Sequence, residues 1–314
     1  MPAFAAHHLL GKQVFDSLRT DNRLACLEQQ PFLLGAQGPD PLLFHRLIPF
    51  YMPGRSARGV SSGLHRARPN RIFAAMADYL KDHPKDTAAF SYACGFLTHY
   101  VLDSLAHPYI YAIQAAIKKS RHIPYISFIV HNRIEANIDA GMINRVLGEP
   151  DARTFNAPEL LCAPQDMKLE IGRMMAQVSR RVLGVKWGAE VYAQSIDDMC
   201  AVQQILYDPT GKKRKWMYLL QVPFYWIAGP FATSLMRCPQ PEQMWDFLND
   251  SGTEWRYPAD PARMSRDSFQ TLFEKAAELS NQLIPLFAAL IDSGDTRLFE
   301  RTGDRSFLTG LPVG

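Results

Sequence analysis

The chain has 314 residues, 47% apolar and 21% charged, with a net charge of +3. This supplies a sizeable core and points to no strongly acidic or basic partner. The five cysteines (Cys26, Cys94, Cys162, Cys200, Cys238) are odd in number, far apart and in no CxxC pair, which argues against a disulfide framework and fits reduced thiols.

The first twenty residues lack a basic leader, and His7, His8, Gly11 and Lys12 interrupt any apolar run, so they do not read as a signal peptide and the expected location is the cytoplasm. Residues 3–19 instead predict an amphipathic helix with Phe4, His7, Leu10, Val14, Phe15 and Leu18 on one broad face. A second helix is expected over about 22–34. It ends at the Gly35-Ala-Gln-Gly38-Pro39-Asp40-Pro41 run, whose glycines and prolines force a turn. Residues 41–77 hold no Asp or Glu but six arginines (Arg46, Arg55, Arg58, Arg66, Arg68, Arg71), and residues 52–63 read as an exposed loop before His65. Helices follow at about 69–82 and 86–106, the second ended by Pro108. The pattern of Phe128, Ile129, Ile134, Ile138, Met142 and Ile143 predicts another helix, and a turn at 148–150 closes it. Residues 165–183 and 188–206 read as surface-facing helices of mixed charge.

Lys212-Lys-Arg-Lys215 then precedes the uncharged, aromatic stretch 216–236, which Pro223, Gly229 and Pro230 break into short buried or interfacial pieces rather than a membrane span. Basic residues ahead of an aromatic stretch suit peripheral contact with a membrane through 212–236. A last helix is expected over 264–292, and 294–314 reads as a loosely held tail. No repeat, strand-rich segment, GxSxG or glycine-rich phosphate loop occurs, which argues against serine hydrolases and nucleotide-driven enzymes. The expected fold is all-α, a single domain over 1–314. It comprises a ligand-rich core at 1–140, a helical extension at 141–293 and the tail.

Within the core, His99-Tyr-Val-Leu-Asp103-Ser-Leu-Ala-His107 sets three metal-ligand residue types at i, i+4 and i+8. Four residues advance a helix by about 400°, so neighbouring members of this set differ by about 40° and all three project from one side. His131-x3-Glu135 repeats the spacing on the next helix. Zinc takes imidazole and carboxylate ligands, and two helices each offering a His and a carboxylate one turn apart suit a polynuclear site inside a helical bundle.

The ordered set His7, Asp40, His65, His99-x3-Asp103, His107 and His131-x3-Glu135 resembles the zinc-dependent phospholipase C family, an all-α bundle related to the single-strand-specific zinc nucleases. The opening residues 1–7, the 35–40 turn and the His99-Tyr-Val-Leu-Asp103 helix look particularly like its cytoplasmic bacterial branch. The resemblance covers about residues 1–140. It implies two to three zinc ions per chain. The first would be held by Asp40, His65, His99 and Asp103, and the second by His107, His131 and Glu135. The third would be held by His7 and a bridging Asp103, with a chain N-terminus as a further ligand in secreted members. The Asp103-to-His107 spacing is shorter than in those secreted enzymes.

The resemblance further implies phosphate-ester hydrolysis of the phospholipase C type. Zinc lowers the pKa of its bound water to roughly 7 and so makes hydroxide available. Asp40 would orient that water or take its proton, and Arg55, Arg58 and Arg66 would hold the nonbridging phosphate oxygens. The expected substrate is a phospholipid or another phosphoester, with no specific nucleic-acid partner. The alternatives are a single-strand nuclease on the same metals and a non-catalytic, zinc-stabilised scaffold.

Overall fold

A computed structural model describes residues 4–18, 24–47, 56–121, 127–222 and 231–313. Among these, helices dominate. In order they are α1 (Phe4–Leu18), α2 (Gln29–Gly35), α3 (Pro41–Phe44), α4 (Arg58–Arg66), α5 (Pro69–Asp82), α6 (Thr87–Arg121) and α7 (Ser127–Leu147). Then come α8 (Ala157–Leu161), α9 (Gln165–Leu183), α10 (Ala189–Leu206), α11 (Lys212–Gln221), α12 (Phe231–Ser234), α13 (Phe269–Ser293) and α14 (Arg297–Thr302). The protein is all-α, as expected. Its described strands, β1 (Trp255–Tyr257) and β2 (Asp260–Ser265), form one small antiparallel hairpin whose last residues fall where the final helix was expected to begin.

The central helix α6 is buried along most of its length and packs on α1, α2, α7, α9 and α13. Its crossing with α2 is close because glycine meets backbone on both sides. A Cβ on Gly95 would stand 1.9 Å from the Phe32 carbonyl oxygen, and one on Gly35 2.1 Å from that of Tyr92. This clamp fixes the 35–40 turn against the ligand-bearing face of α6. Gly38 completes it with φ +54°, a conformation that L side chains disfavour, and a Cβ there would lie 2.3 Å from the His99 ring. The buried hydroxyls of Tyr92 and Tyr192 both donate to the Gly38 carbonyl, at 2.8 and 2.9 Å.

Several expectations are corrected. Helix α6 does not stop before Pro108; the proline lies inside it and the helix runs on to Arg121. Residues 58–63 belong to helix α4 rather than to an exposed loop. Helix α2 begins at Gln29, later than expected. The inner faces of α9 and α10, including Met174, Met175, Tyr192 and Ile196, are fully buried core. Helix α13 starts at Phe269, where Ser268 caps it by accepting from the Thr271 amide. Finally, the tail is not loosely held. Residues 297–302 are helical, and Phe307 is wholly buried among Tyr100, Phe96, His65 and His99.

Candidate metal centre

The eight ligand-type residues come from five elements and meet in one place. Helix α6 brings His99, Asp103 and His107; α1 brings His7, the 35–40 turn Asp40, α4 His65, and α7 His131 and Glu135. Asp103 is the hub. Its Oδ1 lies 3.3 Å from His7 Nε2 and 3.6 Å from His107 Nδ1, and its Oδ2 lies 3.2 Å from His99 Nε2 and 3.5 Å from His65 Nε2. Asp40 Oδ1 reaches His65 Nε2 at 3.4 Å, and His131 Nε2 lies 3.2 Å from Glu135 Oε1. Three groups have ligand atoms close enough together to hold a metal ion. They are His7–His99–Asp103, Asp40–His65–His99 and His107–His131–Glu135. His99 therefore joins two groups, where the resemblance assigned it to one.

Histidines that bind metal characteristically donate their other ring N–H to a protein oxygen, which fixes tautomer and orientation. Three of these do so. His65 Nδ1 donates to the Ser61 carbonyl at 2.9 Å, His107 Nδ1 to the Phe307 carbonyl at 2.9 Å, and His131 Nδ1 to Gln114 Oε1 at 3.1 Å. Each bond leaves Nε2 as the ligand atom. His7 is anchored through its helix. Buried Asp139 accepts from the amides of Ala5 and Ala6 at 3.1 and 2.9 Å, satisfying donors of the first turn of α1.

The donor set fits a divalent metal. Asp103 Oδ2 and Asp40 Oδ1 are buried and, among the described residues, receive no well-aligned hydrogen bond. Buried oxygens in that state carry a desolvation cost that a cation would offset. The histidines bring positive charge to the same carboxylates. Burial opposes the charge on Asp103, yet His107, His99, His65 and His7 together hold its carboxyl well below the usual range. Burial opposes the Glu135 charge as well, and His131 foremost brings its carboxyl down. His65 is pushed up to about 9, its desolvation outweighed by Asp103 and Asp40. Burial lowers the pKa of His107.

The cluster opens into a cavity of about 220 Å³ whose wall includes Asp40, His65, Arg66, Asp103, Tyr111 and Glu135. Larger cavities of about 710 and 740 Å³ lie elsewhere, but neither contains any of the eight residues. The family model for zinc-dependent phospholipase C matches residues 6–184, more than half of the chain. The chain belongs to the zinc-dependent phospholipase C family. No curated protein and no solved structure matched it.

The match contains all eight ligand-type residues, and ends well before α11 and the C-terminal segment. The three expected arginines fare differently. Arg66 lines the cavity. Arg58 does not; its guanidinium donates to Ser56 Oγ at 3.0 Å on the exposed side of α4. Arg55 lies outside the described residues. The remaining histidines are structural where described. His8 is buried against Phe4 and Phe155, His45 accepts from the Ala57 amide, and His83 donates to the Tyr79 carbonyl.

Sequence reasoning missed Tyr111, Gln114, Phe307 and Leu308. Tyr111 stacks on His107 at 5.5 Å and meets His131 at 5.4 Å. It stands one turn beyond His107, and Gln114 about one turn further on. The spacing that revealed His99, Asp103 and His107 would have reached them had Pro108 not been taken as a helix stop.

Proposed function

We propose that this protein hydrolyses phosphodiesters by the phospholipase C reaction, with phospholipid as the substrate class. The observation that carries the reading is the convergence of three potential metal-binding groups around Asp103 at a cavity that also presents Arg66. A structural metal site is closed by its ligands, whereas catalytic sites keep open positions. Eight residues shared among three groups leave each group short of four protein ligands, and the cluster faces a cavity. Both features favour an enzyme over a scaffold.

Two to three zinc ions would be held by His7, His99 and Asp103, by Asp40, His65 and His99, and by His107, His131 and Glu135. Bound there, zinc would make water acidic enough to yield a nucleophile near neutral pH and would draw charge from the phosphoryl oxygens. The chain's own groups supply the rest. Arg66 would hold a nonbridging oxygen through its fork of donors. Asp40, beside His65, would take the proton released as water attacks phosphorus and pass it to the alcohol oxygen as its bond to phosphorus breaks. Tyr111 would donate its hydroxyl hydrogen bond to the phosphate. Among the chain's own groups, burial, then Asp103 and Glu135, push the tyrosine's pKa up to about 12.

A nuclease needs aromatic faces free to stack bases. Tyr111, the aromatic in this wall besides the histidines, already gives its ring to His107 at an interplanar angle of 18°. The deciding assay compares hydrolysis of phosphatidylcholine, single-stranded DNA and a chromogenic phosphodiester, with and without chelator. Chelator-sensitive release of diacylglycerol is the expected result. Cleavage of DNA alone, or turnover that survives verified zinc removal, overturns the reading.

A further inference from the structure

Helix α11 is inside out. A soluble helix turns its apolar stripe inward. In α11 the inward stripe is Arg214, Met217 and Gln221, while Trp216 (67% exposed), Leu219 (60%) and Leu220 (68%) face outward with Tyr218 and the adjoining Val222. Lys212, Lys213 and Lys215 occupy the exposed first turn of the same helix. The inward stripe is held polar-to-polar. Gln221 Nε2 donates to Thr233 Oγ1 at 2.8 Å, and Arg214 donates to the Met236 carbonyl at 3.0 Å, so the orientation is fixed by contacts rather than by fraying.

We propose that this outward face docks the protein on the surface of an anionic lipid bilayer. Charge selects the occupant. From Gly211 to Pro241 the sequence has no acidic residue, and it carries Lys212, Lys213, Arg214, Lys215 and Arg237. The cavity of about 710 Å³ at the foot of the helix adds little to this charge, because Arg133 and Arg214 pair there with Glu242 and Arg153 pairs with Asp151. A second copy of the chain would bring the same basic turn to the same interface, since a two-fold contact pairs a patch with itself. A bilayer of acidic lipids instead offers negative charge to the lysines and an apolar interior to Trp216, Leu219 and Leu220. Ten residues at 1.5 Å rise span about 15 Å, half a hydrocarbon core, so α11 lies in the interface rather than crossing it. No described helix is long and apolar enough to cross a membrane.

The cavity beside the docking face shares a helix with the metal centre: Arg133, which lines it, lies on α7 between the ligand-type residues His131 and Glu135. The proposal does not require that lipid be the substrate, and its test measures binding alone.

The full-length, zinc-loaded protein is sedimented with vesicles of phosphatidylcholine and of phosphatidylcholine mixed with phosphatidylglycerol. Binding should favour the anionic vesicles and fall with salt. Lys212→Gln with Lys215→Gln should weaken it about 25-fold, from roughly fivefold per removed charge. Leu219→Glu should abolish it. All three positions are exposed, and unchanged circular dichroism and zinc content establish that the variants fold. Equal binding to both vesicle types, or binding that survives these substitutions, overturns the proposal. So does a concentration-dependent dimer that Leu219→Glu disperses while vesicle binding is absent. Failure to hydrolyse phosphatidylcholine would overturn the reaction proposed above and leave this surface untouched.

Discussion

Phe307→Ala tests whether the C-terminal segment belongs to the metal centre or merely packs beside it. The ring is fully buried, with centroids 4.9 Å from Tyr100, 5.5 Å from His65 and 6.3 Å from His99. Truncating such a phenylalanine costs about 3–5 kcal/mol. Unfolding entropy near 2.1 cal/mol/K per residue implies that a chain of this length melting as one unit would lose about 5–8 °C. The rest of the segment has its own anchors. Asp304 accepts from the Asn70 amide at 3.0 Å, and Arg305 bridges to Pro312, so the backbone stays seated and loosens locally. That loosening acts on the Phe307 carbonyl and hence on His107. Loss of such an orienting partner costs about 10–100-fold in metal affinity. The assays are thermal denaturation of zinc-loaded and metal-stripped protein, and zinc competition against a chromogenic chelator. A lower melting temperature with weaker zinc binding is expected. Unchanged zinc affinity beside the same thermal loss would reduce the segment to packing and refute the reasoning.

Three further outcomes are expected. Asp103→Asn should lower zinc content more than substitution of any other ligand-type residue, because four histidine nitrogens lie within 3.6 Å of its oxygens; elemental analysis showing a full complement would remove Asp103 from the centre. Chelation should lower the melting temperature substantially, since the site ties α1, the 35–40 turn, α4, α6 and α7 together; an unchanged melting curve after verified zinc removal would mean the helices stand without metal. Asp139 gives the pH dependence. Burial pushes its carboxyl up to about 7 despite Arg237 and the Ala5 and Ala6 amides, so its contribution is complete below the ordinary carboxylate range, near pH 4, and is lost as pH rises through 7. Asp139→Asn should remove a loss of order 1–4 kcal/mol across that window, and denaturant titrations at pH 4.5 and 7.5 showing the same slope in both proteins would contradict this.

The candidate site was legible because its chemistry rides on side chains at helical spacing. His99, Asp103 and His107 announce a shared face, and His131 with Glu135 repeats it on α7. His7 and Asp40 had ordinary readings as single residues and gained meaning only from their order along the chain. What sequence concealed is of two kinds. Some functional atoms belong to the backbone: the Phe307 carbonyl orients His107, and no side-chain pattern marks it. Other choices depend on tertiary direction. Arginine enrichment over 41–77 cannot say that Arg66 turns into the cavity while Arg58 turns out. The polar–apolar pattern of α11 is equally mute about which stripe faces inward, and neighbouring Thr233 and Met236 decide it.

Pro108 shows how one local misreading propagates. A proline inside a helix forfeits the bond from its own nitrogen to the carbonyl four residues earlier, here Ser104, and its ring crowds that turn. The expectation was a helix end. Instead the C-terminal segment docks on this stretch. Gly310, at φ +64°, comes so close that a Cβ there would stand 2.4 Å from the Ser104 carbonyl oxygen and 3.2 Å from Pro108 Cγ. With the segment seated at that irregularity, Phe307 reaches His107, and the helix beyond the proline delivers Tyr111 and Gln114 to the same centre. The centre is thus supported from both ends of the described chain. Asp139 ties down the α1 turn that carries His7, and a segment outside the family match holds His107. Metal affinity should therefore respond to substitutions at Gly310 even though the residue touches no ligand, because any side chain there must push the segment off α6.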